Sequence, residues 1–152
     1  MTSPTARLRE FGITLPSVAT PAGAYIPAKR AGSLVFTAGQ VPFVDGALAA
    51  AGKVGAEITP EQAKDLARTC TLNALAAVDG LVGLDAVASV VKVVGFVASA
   101  PGFTGQPGVI NGASELLAEV FGEAGRHARS AVGVAELPLG APVEVELVVE
   151  LA

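Results

Sequence analysis

Residues 128–151, ARSAVGVAELPLGAPVEVELVVEL, contain the clearest strand pattern in the sequence. From Val143 to Leu151 the odd-numbered positions are all aliphatic, whereas three of the four even-numbered positions are glutamate. This period of two predicts a strand with one face in the core. Residues 129–137 predict a second strand, and the proline- and glycine-containing segment 138–142 predicts the turn between them.

The rest of the chain predicts three further strands and two helices. The strands are residues 25–28, residues 33–38 and the β-branched run 87–97. Thr59-Pro60-Glu61-Gln62 is typical of a capped helix start, and Asp79-Gly80 is expected to end that helix. Asn111-Gly112 is expected to open the second helix. The order β-β-α-β-α-β-β predicts an α+β fold, with two helices on one face of a mixed sheet.

Length and composition limit the class of protein. A chain of 152 residues predicts one domain, which we place at residues 24–152, and the aperiodic residues 1–23 predict an arm wrapped over it. Hydrophobic residues make up 51% of the chain and charged residues only 16%. Prolines interrupt the uncharged stretches 11–28 and 93–114, so neither is expected to span a membrane. We therefore expect a cytoplasmic homo-oligomer whose sparsely charged surface is buried between copies.

Residue counts also exclude several classes of site. A net charge of −4 without a basic run argues against nucleic-acid binding. The single cysteine, Cys70, and the single histidine, His127, exclude a disulfide within the chain and a multi-histidine metal site. Cys70 follows the apolar spacing of the first helix and is interpreted as a core residue. His127 is interpreted as an ordinary loop residue or as part of a pocket rim.

A glycine-rich loop precedes the second predicted helix. Its pattern, Gly102-x-x-Gly105-x-x-Gly108, suggests a phosphate-binding loop, but the Gly-Lys-Ser/Thr ending of such loops is missing. We therefore favour a flexible lid, or a loop that lies between subunits, over a phosphate site.

Arg129 is the candidate binding residue that the chemistry alone singles out. It opens a predicted strand whose next eight residues contain a single charge. Its guanidinium is expected either to pair with Glu144 or to form a two-pronged contact with the carboxylate of a ligand. The residue types leave both alternatives open.

The C-terminal block resembles the RidA (YjgF-like) family of enamine/imine deaminases. The matching motifs are Ala128-Arg129-Ser130, Leu137-Pro138 and Val143-Glu144-Val145-Glu146. Upstream, Pro21-x-Gly23-x-Tyr25 is similar to the Gly-Pro-Tyr segment of the family, and the Ala38-Gly39-Gln40 strand end is similar to its Ser-Gly-Gln. The resemblance also includes the central strand and Asn111, and it covers nearly the whole chain from about Pro21.

The resemblance implies a chorismate-mutase-like fold, a trimer, and sites in the clefts between subunits that use no cofactor or metal. It implies that Arg129 holds the carboxylate of a 2-imino acid and that Glu144 positions the attacking water. It also implies that the backbone at Gly39 and near Ala131 contacts the substrate, and that Tyr25 and Asn111 line the cleft. The expected reaction is hydrolysis of 2-imino or 2-enamino acids to 2-keto acids and ammonia.

Several positions depart from the family pattern. Ala38 stands where the family has serine, Ala131 where it often has cysteine, and His127 where proline is common. Residues 98–107 resemble an insertion near the cleft. These departures keep a second hypothesis open, in which a trimer binds small carboxylate metabolites in the same clefts without catalysis. A ribonuclease is a further alternative, which the acidic chain disfavours.

Overall fold

The computed structural model describes residues 2–152 as a five-stranded mixed sheet with helices on one face. The helices are α1 (Pro4–Glu10), α2 (Pro60–Val82) and α3 (Gln106–Phe121). The strands are β1 (Ala28–Ala31), β2 (Leu34–Thr37), β3 (Phe43–Val44), β4 (Ala47–Leu48), β5 (Val87–Ala98), β6 (Ala128–Val134) and β7 (Val143–Leu151). The strand order in the sheet is β1-β2-β7-β5-β6, and β3 and β4 form a separate small hairpin.

The long strand β5 is central to the sheet and pairs with β6 in parallel and with β7 in antiparallel orientation. The remaining pairs, β1 with β2 and β2 with β7, are antiparallel. The predicted α+β class with a mixed sheet is therefore confirmed. Strand β6 lies at one edge of the sheet, where its outer side has no strand neighbour within residues 2–152.

The two faces of the sheet differ in burial, as the period of two in β7 predicts. Val143, Val145, Leu147, Val149 and Leu151 belong to the hydrophobic core under α2 and α3. The even-numbered residues of β7 face away from the helices and are half-buried or exposed. Phe36 and Val132 on this outer face are 44% and 43% exposed, so this face carries apolar groups without a covering layer in the chain.

Helix α2 begins as its sequence predicts. The Thr59 hydroxyl accepts a hydrogen bond from the Gln62 amide at 3.1 Å, and the Gln62 side chain accepts one from the Thr59 amide at 2.9 Å. The helix continues past Asp79-Gly80 to Val82 and ends at Gly83, whose positive φ of 80° suits glycine. Cys70 is fully buried on the core side of this helix, which confirms its interpretation as a core residue.

Helix α3 starts earlier than predicted. Asn111-Gly112 was expected to open it, but the helix begins at Gln106, with Pro107 in the first turn, where proline needs no N–H partner. Gly108 therefore belongs to the helix rather than to a loop. Gly112 faces the Lys64 carbonyl of α2 so closely that a Cβ atom would collide with it, which explains a glycine inside a helix.

The first strand is also displaced from its predicted position at residues 25–28. Strand β1 begins at Ala28, which pairs with Thr37, whereas Tyr25 precedes the strand and is half-exposed. Pro27 lacks the N–H that a paired strand uses, and this explains the later start. The turn to β2 accordingly lies at Gly32-Ser33 and not at residues 29–32.

Helix α1 was missed in the sequence, where two helices were predicted and three are present. Its cap is Ser3, whose hydroxyl accepts a hydrogen bond from the Ala6 amide at 3.2 Å. Leu8 is buried in the core, and Arg7 donates to the Glu119 carbonyl of α3 at 2.7 Å. Seven residues make only about two helical turns, which is too short to show a helical period in the sequence. Only the Ser3-Pro4 start could have signalled this helix. None of the helices described is long and apolar enough to cross a membrane.

Candidate functional site

A cavity of about 210 Å³ lies beside the start of β7 and contains the Glu144 carboxylate. Its other walls are residues 19–22 of the N-terminal arm, Tyr25, Pro27, residues 39–41 after β2, Phe43, and Pro138 and Leu139 before β7. Three of the residues named from the sequence, Tyr25, Gly39 and Glu144, thus line one cavity. We call it the Glu144 cavity.

Glu144 reaches this cavity because it is an even-numbered residue of β7 and faces away from the helices. It is half-buried beside Phe96, its register partner on β5. Burial is the larger cause that raises the pKa of Glu144 above its ordinary value, and the nearby charge of Glu146 is the smaller. A raised pKa and an open cavity suit a general base.

The backbone after β2 brings Gly39 against Glu144. Gln40 and Val145 exchange two backbone hydrogen bonds, of 2.9 and 3.0 Å, and these fix the segment beside β7. A Cβ atom at Gly39 would overlap the Glu144 carboxylate, so only glycine leaves room for that side chain. Glycine is needed at position 39 because a side chain would collide with Glu144, and not because the backbone has a positive φ.

Tyr25 and the arm close the opposite side of the cavity. The Tyr25 hydroxyl accepts a hydrogen bond from the Ala22 amide at 3.2 Å, which ties the ring to the arm. Thr20, Pro138 and Leu139 also line the cavity, although nothing in the sequence predicted them as wall residues. Leu139 is 65% exposed and has a φ of 62°, and its position in a Pro-Leu-Gly turn was the only available signal.

Arg129 lies in a second, shallower pocket of about 340 Å³ between α3 and the start of β6. One guanidinium nitrogen, Nη1, donates to the Ser114 hydroxyl at 3.2 Å, and the other, Nη2, donates to the Pro107 carbonyl at 3.1 Å. Two of the five guanidinium N–H groups are used in this way, which leaves three for a ligand. Asn111 and His127 also line this Arg129 pocket.

Ala131 follows on the same face of β6, two residues after Arg129. Its register partner on β5 is Gly95, and its side chain is half-buried against the core. Ala131 lines neither the Glu144 cavity nor the Arg129 pocket. Because β6 is the edge strand, the backbone near Ala131 can offer hydrogen-bonding groups at the free edge of the sheet.

The structure separates Arg129 from Glu144. Arg129 pairs with the buried Val93 of β5 and points toward the helices, whereas Glu144 pairs with Phe96 and points the other way. An offset of three residues along β5 and of two strands across the sheet puts their Cα atoms about 14 Å apart. Within residues 2–152 neither side chain forms an ion pair, so the expected alternative of an Arg129–Glu144 pair does not occur in the chain.

The structure also shows the surroundings of His127 and of the possible metal-binding side chains. His127 lies in the turn just before β6 and contacts Ser114 and the Gly125 carbonyl, so it belongs to the pocket rim rather than to a free loop. Among residues 2–152 no group of three or more His, Cys, Asp or Glu side chains could hold a metal ion.

A model of the family described as "YjgF/chorismate_mutase-like, putative endoribonuclease" matches residues 5–151 of this chain. This chain belongs to the YjgF/chorismate mutase-like family. Protein TCP17 of Trypanosoma cruzi is a relative with 45% identity over 148 residues, which cover 96% of this chain and 92% of that protein. The resemblance to the RidA (YjgF-like) family is therefore confirmed.

Solved structures of YjgF-like proteins have the same fold. Protein Atu1372 of Agrobacterium tumefaciens is 44% identical and superposes with a TM-score of 0.90, covering 98% of this chain and 92% of that one. TdcF of Escherichia coli, solved with bound serine, is 25% identical with a TM-score of 0.66, covering 91% and 96%. Identities between 25% and 45% suit a divergent branch of the YjgF-like family.

Proposed function

We propose that this protein hydrolyses small 2-imino and 2-enamino acids to 2-keto acids and ammonia, at sites formed between two copies of the chain. The single observation that carries the proposal is the Glu144 carboxylate. It is half-buried, has a raised pKa, and faces a cavity of a size suited to a small metabolite. Such a carboxylate, when ionised, can accept a proton from an attacking water.

The charge of the Glu144 cavity supports a site shared between copies. Its lining contains no lysine or arginine. A substrate with a carboxylate would meet only the Glu144 charge there, and like charges repel. A cation from outside the chain is therefore needed to bind such a substrate in this cavity.

Arg129 fits that need when it comes from a second copy. Its guanidinium is held by two hydrogen bonds and has three N–H groups left, enough for a two-pronged contact with a carboxylate. Within one chain it points away from Glu144, so only a neighbouring copy could bring the two together. The exposed apolar groups on the outer sheet face supply a surface for such packing, and we propose the trimer of the family as the assembly.

The chemistry that follows needs only these groups. An enamine first tautomerises to the imine, whose C2 carbon is electrophilic. Glu144 accepts a proton from water as the water oxygen bonds to C2, and the imine nitrogen takes up a proton. The proton on Glu144 then passes to the amine, and the C–N bond breaks so that ammonia leaves with the electron pair. The C2 hydroxyl releases its proton to solvent as its oxygen becomes the carbonyl of the 2-keto acid, which balances the proton that the imine nitrogen took up from solvent. Arg129 binds the carboxylate throughout and orients C2 toward the water.

Other features support a small carboxylate ligand. TdcF was solved with serine, a small amino acid with a carboxylate, and is similar to this chain over most of its length. The backbone near Gly39 and Ala131, with Tyr25 and Asn111, would then line the shared cleft. We also propose that the protein works in the cytoplasm, as the sequence predicts.

The experiment is to generate imines in the presence of the purified protein. An amino-acid oxidase supplied with several different amino acids produces the 2-imino acids, and release of ammonia and keto acid is followed over time. We expect the protein to accelerate release, and the Arg129→Ala variant to lose most of that acceleration. Release at the spontaneous rate with every amino acid would contradict the proposal.

Ala38 supports a second candidate function, a trimer that binds small carboxylates without turning them over. Alanine at this position, next to Gly39, removes a hydroxyl that the family places near the substrate. Calorimetry with 2-keto acids distinguishes the two functions, because a binder would show affinity that depends on Arg129 but no imine turnover. RNA cleavage that is lost in Arg129→Ala would instead support the ribonuclease named in the family description.

A further inference from the structure

We propose that Ser114 and His127 position the Arg129 guanidinium through a chain of hydrogen bonds. The proposal rests on the proposed function, in which Arg129 binds the carboxylate of the substrate. Neither Ser114 nor His127 touches that substrate in our account. They are positioning residues that act through Arg129.

The direction of each hydrogen bond follows from the partners. His127 Nδ1 lies 2.6 Å from the Gly125 carbonyl, and a carbonyl only accepts, so Nδ1 carries a hydrogen. In the neutral ring Nε2 is then an acceptor, and it lies 2.9 Å from the Ser114 hydroxyl. Ser114 therefore donates its hydrogen to His127. The lone pairs of its oxygen remain free to accept from Arg129.

Arg129 Nη1 uses one of these lone pairs, at 3.2 Å. The chain thus runs from the guanidinium to the Ser114 oxygen, from the Ser114 hydrogen to His127, and from His127 to the Gly125 backbone. Its far end is fixed, because Gly125 is buried so tightly that a Cβ atom there would collide with the Leu117 carbonyl. A rigid backbone atom therefore restricts the position of a long, flexible arginine side chain.

The first test compares four variants by steady-state kinetics of imine hydrolysis and by calorimetric binding of an unreactive 2-keto acid. Ser114→Ala and His127→Phe should each raise KM and Kd about 3- to 10-fold and leave kcat within about twofold, because a carboxylate contact acts on bound substrate and transition state alike. The double variant should raise KM and Kd no further than the more impaired of the two single variants, because both changes break the same chain of hydrogen bonds. His127→Gln should restore the affinity, since its Oε1 can accept from Ser114.

Arg126→Ala is the matched control, because it removes a cation from the rim of the same pocket without breaking the chain of hydrogen bonds. It should change KM less than either positioning variant. Values of KM and Kd that stay at the wild-type level in both Ser114→Ala and His127→Phe would overturn the proposal. So would a loss in Arg126→Ala equal to theirs.

A second test does not depend on turnover. The Arg129 Nε–H signal is followed in NMR spectra. It should shift in His127→Phe relative to the wild type, because the chain of hydrogen bonds is broken, and in the Ser114→Ala background the same His127→Phe change should no longer shift it. An Arg129 signal that is unaffected by His127, or that follows it equally without Ser114, contradicts the positioning role. This holds even if no imine is hydrolysed, which would contradict only the proposed function.

Discussion

The Glu144 cavity and the Arg129 pocket lie on opposite faces of one sheet and differ in charge. The cavity contains a half-buried carboxylate and no cation, whereas the pocket contains two arginines and no carboxylate. Each would be a poor site alone. The Glu144 cavity repels an anionic substrate, and the Arg129 pocket has no carboxylate to serve as the base. If the two form one site, as we propose, a single chain carries both halves of that site but cannot join them itself.

The largest expected effect comes from the base of the Glu144 cavity. Glu144→Gln keeps the shape of the side chain but cannot accept a proton, so kcat for imine hydrolysis should fall about 10²- to 10⁴-fold. The Kd for a 2-keto acid should not rise, because the amide removes a charge that repels the ligand. Kinetics and calorimetry on the same preparation check both. Wild-type kcat in Glu144→Gln would contradict the role of Glu144 as the general base.

Glu144→Gln should also be more stable than the wild type at neutral pH, because glutamine removes a half-buried charge. Since the folded pKa of Glu144 is raised, the folded state binds its proton more tightly than the unfolded state, and wild-type stability falls as pH rises through that pKa. We expect the Tm of Glu144→Gln to exceed that of wild type by about 1–3 °C at pH 7, with a smaller difference near pH 4. Thermal unfolding at both pH values measures this.

Gly39→Ala should disturb the Glu144 cavity without changing its charge. The added Cβ overlaps the Glu144 carboxylate, and a displaced base can cost about 10²-fold in kcat. Gly108→Ala is the matched control, because it adds the same methyl group in open space on α3. Equal activity of the two variants would show that the contact of Gly39 with Glu144 is unimportant.

Substitutions of Arg129 test the role of the Arg129 pocket. Both Arg129→Ala and Arg129→Lys should lower kcat/KM about 10- to 100-fold, because lysine has no planar pair of donors for a carboxylate. The loss should appear mainly in KM, in contrast to Glu144→Gln. Full activity of Arg129→Lys would reduce the role of this residue to that of a simple positive charge.

The smallest expected effect is a shift along the pH axis. Glu146 raises the pKa of Glu144, so Glu146→Gln should lower it. Because Glu144 must be ionised to act as a base, the acidic limb of the kcat/KM profile should move to lower pH. Glu150→Gln is the control, on the same face of β7 but farther from the cavity. A shift of equal size in the control would assign the effect to net charge.

Much of the fold could be predicted from the sequence because its strongest signals are local. The period of two in β7 and the capping box at Thr59 each depend on a few neighbouring residues, and both predictions are confirmed. The starts of β1 and α3 were misplaced because Pro27 and Pro107, rather than Tyr25 and Asn111, mark the two boundaries, and because a glycine inside a helix is explained only by contacts such as that of Gly112 with α2. These contacts join residues far apart in the chain.

The candidate site could be predicted residue by residue but not in its arrangement. Family motifs identified Tyr25, Gly39 and Glu144, yet only the folded chain shows that they share a cavity from which Arg129 is excluded. The contact of Ser114 with His127 depends on how the turn after α3 brings His127 back beside the middle of that helix, and no spacing in the sequence signals it.

The most direct test of the shared site is complementation between two defective chains, assayed at a substrate concentration well below the wild-type KM. Arg129→Ala and Glu144→Gln chains are co-expressed in equal amounts and compared with each variant assembled alone. If each site takes Arg129 from one copy and Glu144 from its neighbour, random assembly in a closed ring leaves both residues intact at about one quarter of the sites. The account predicts recovery of about that fraction of wild-type imine hydrolysis. Activity no higher than that of the separate variants would contradict it.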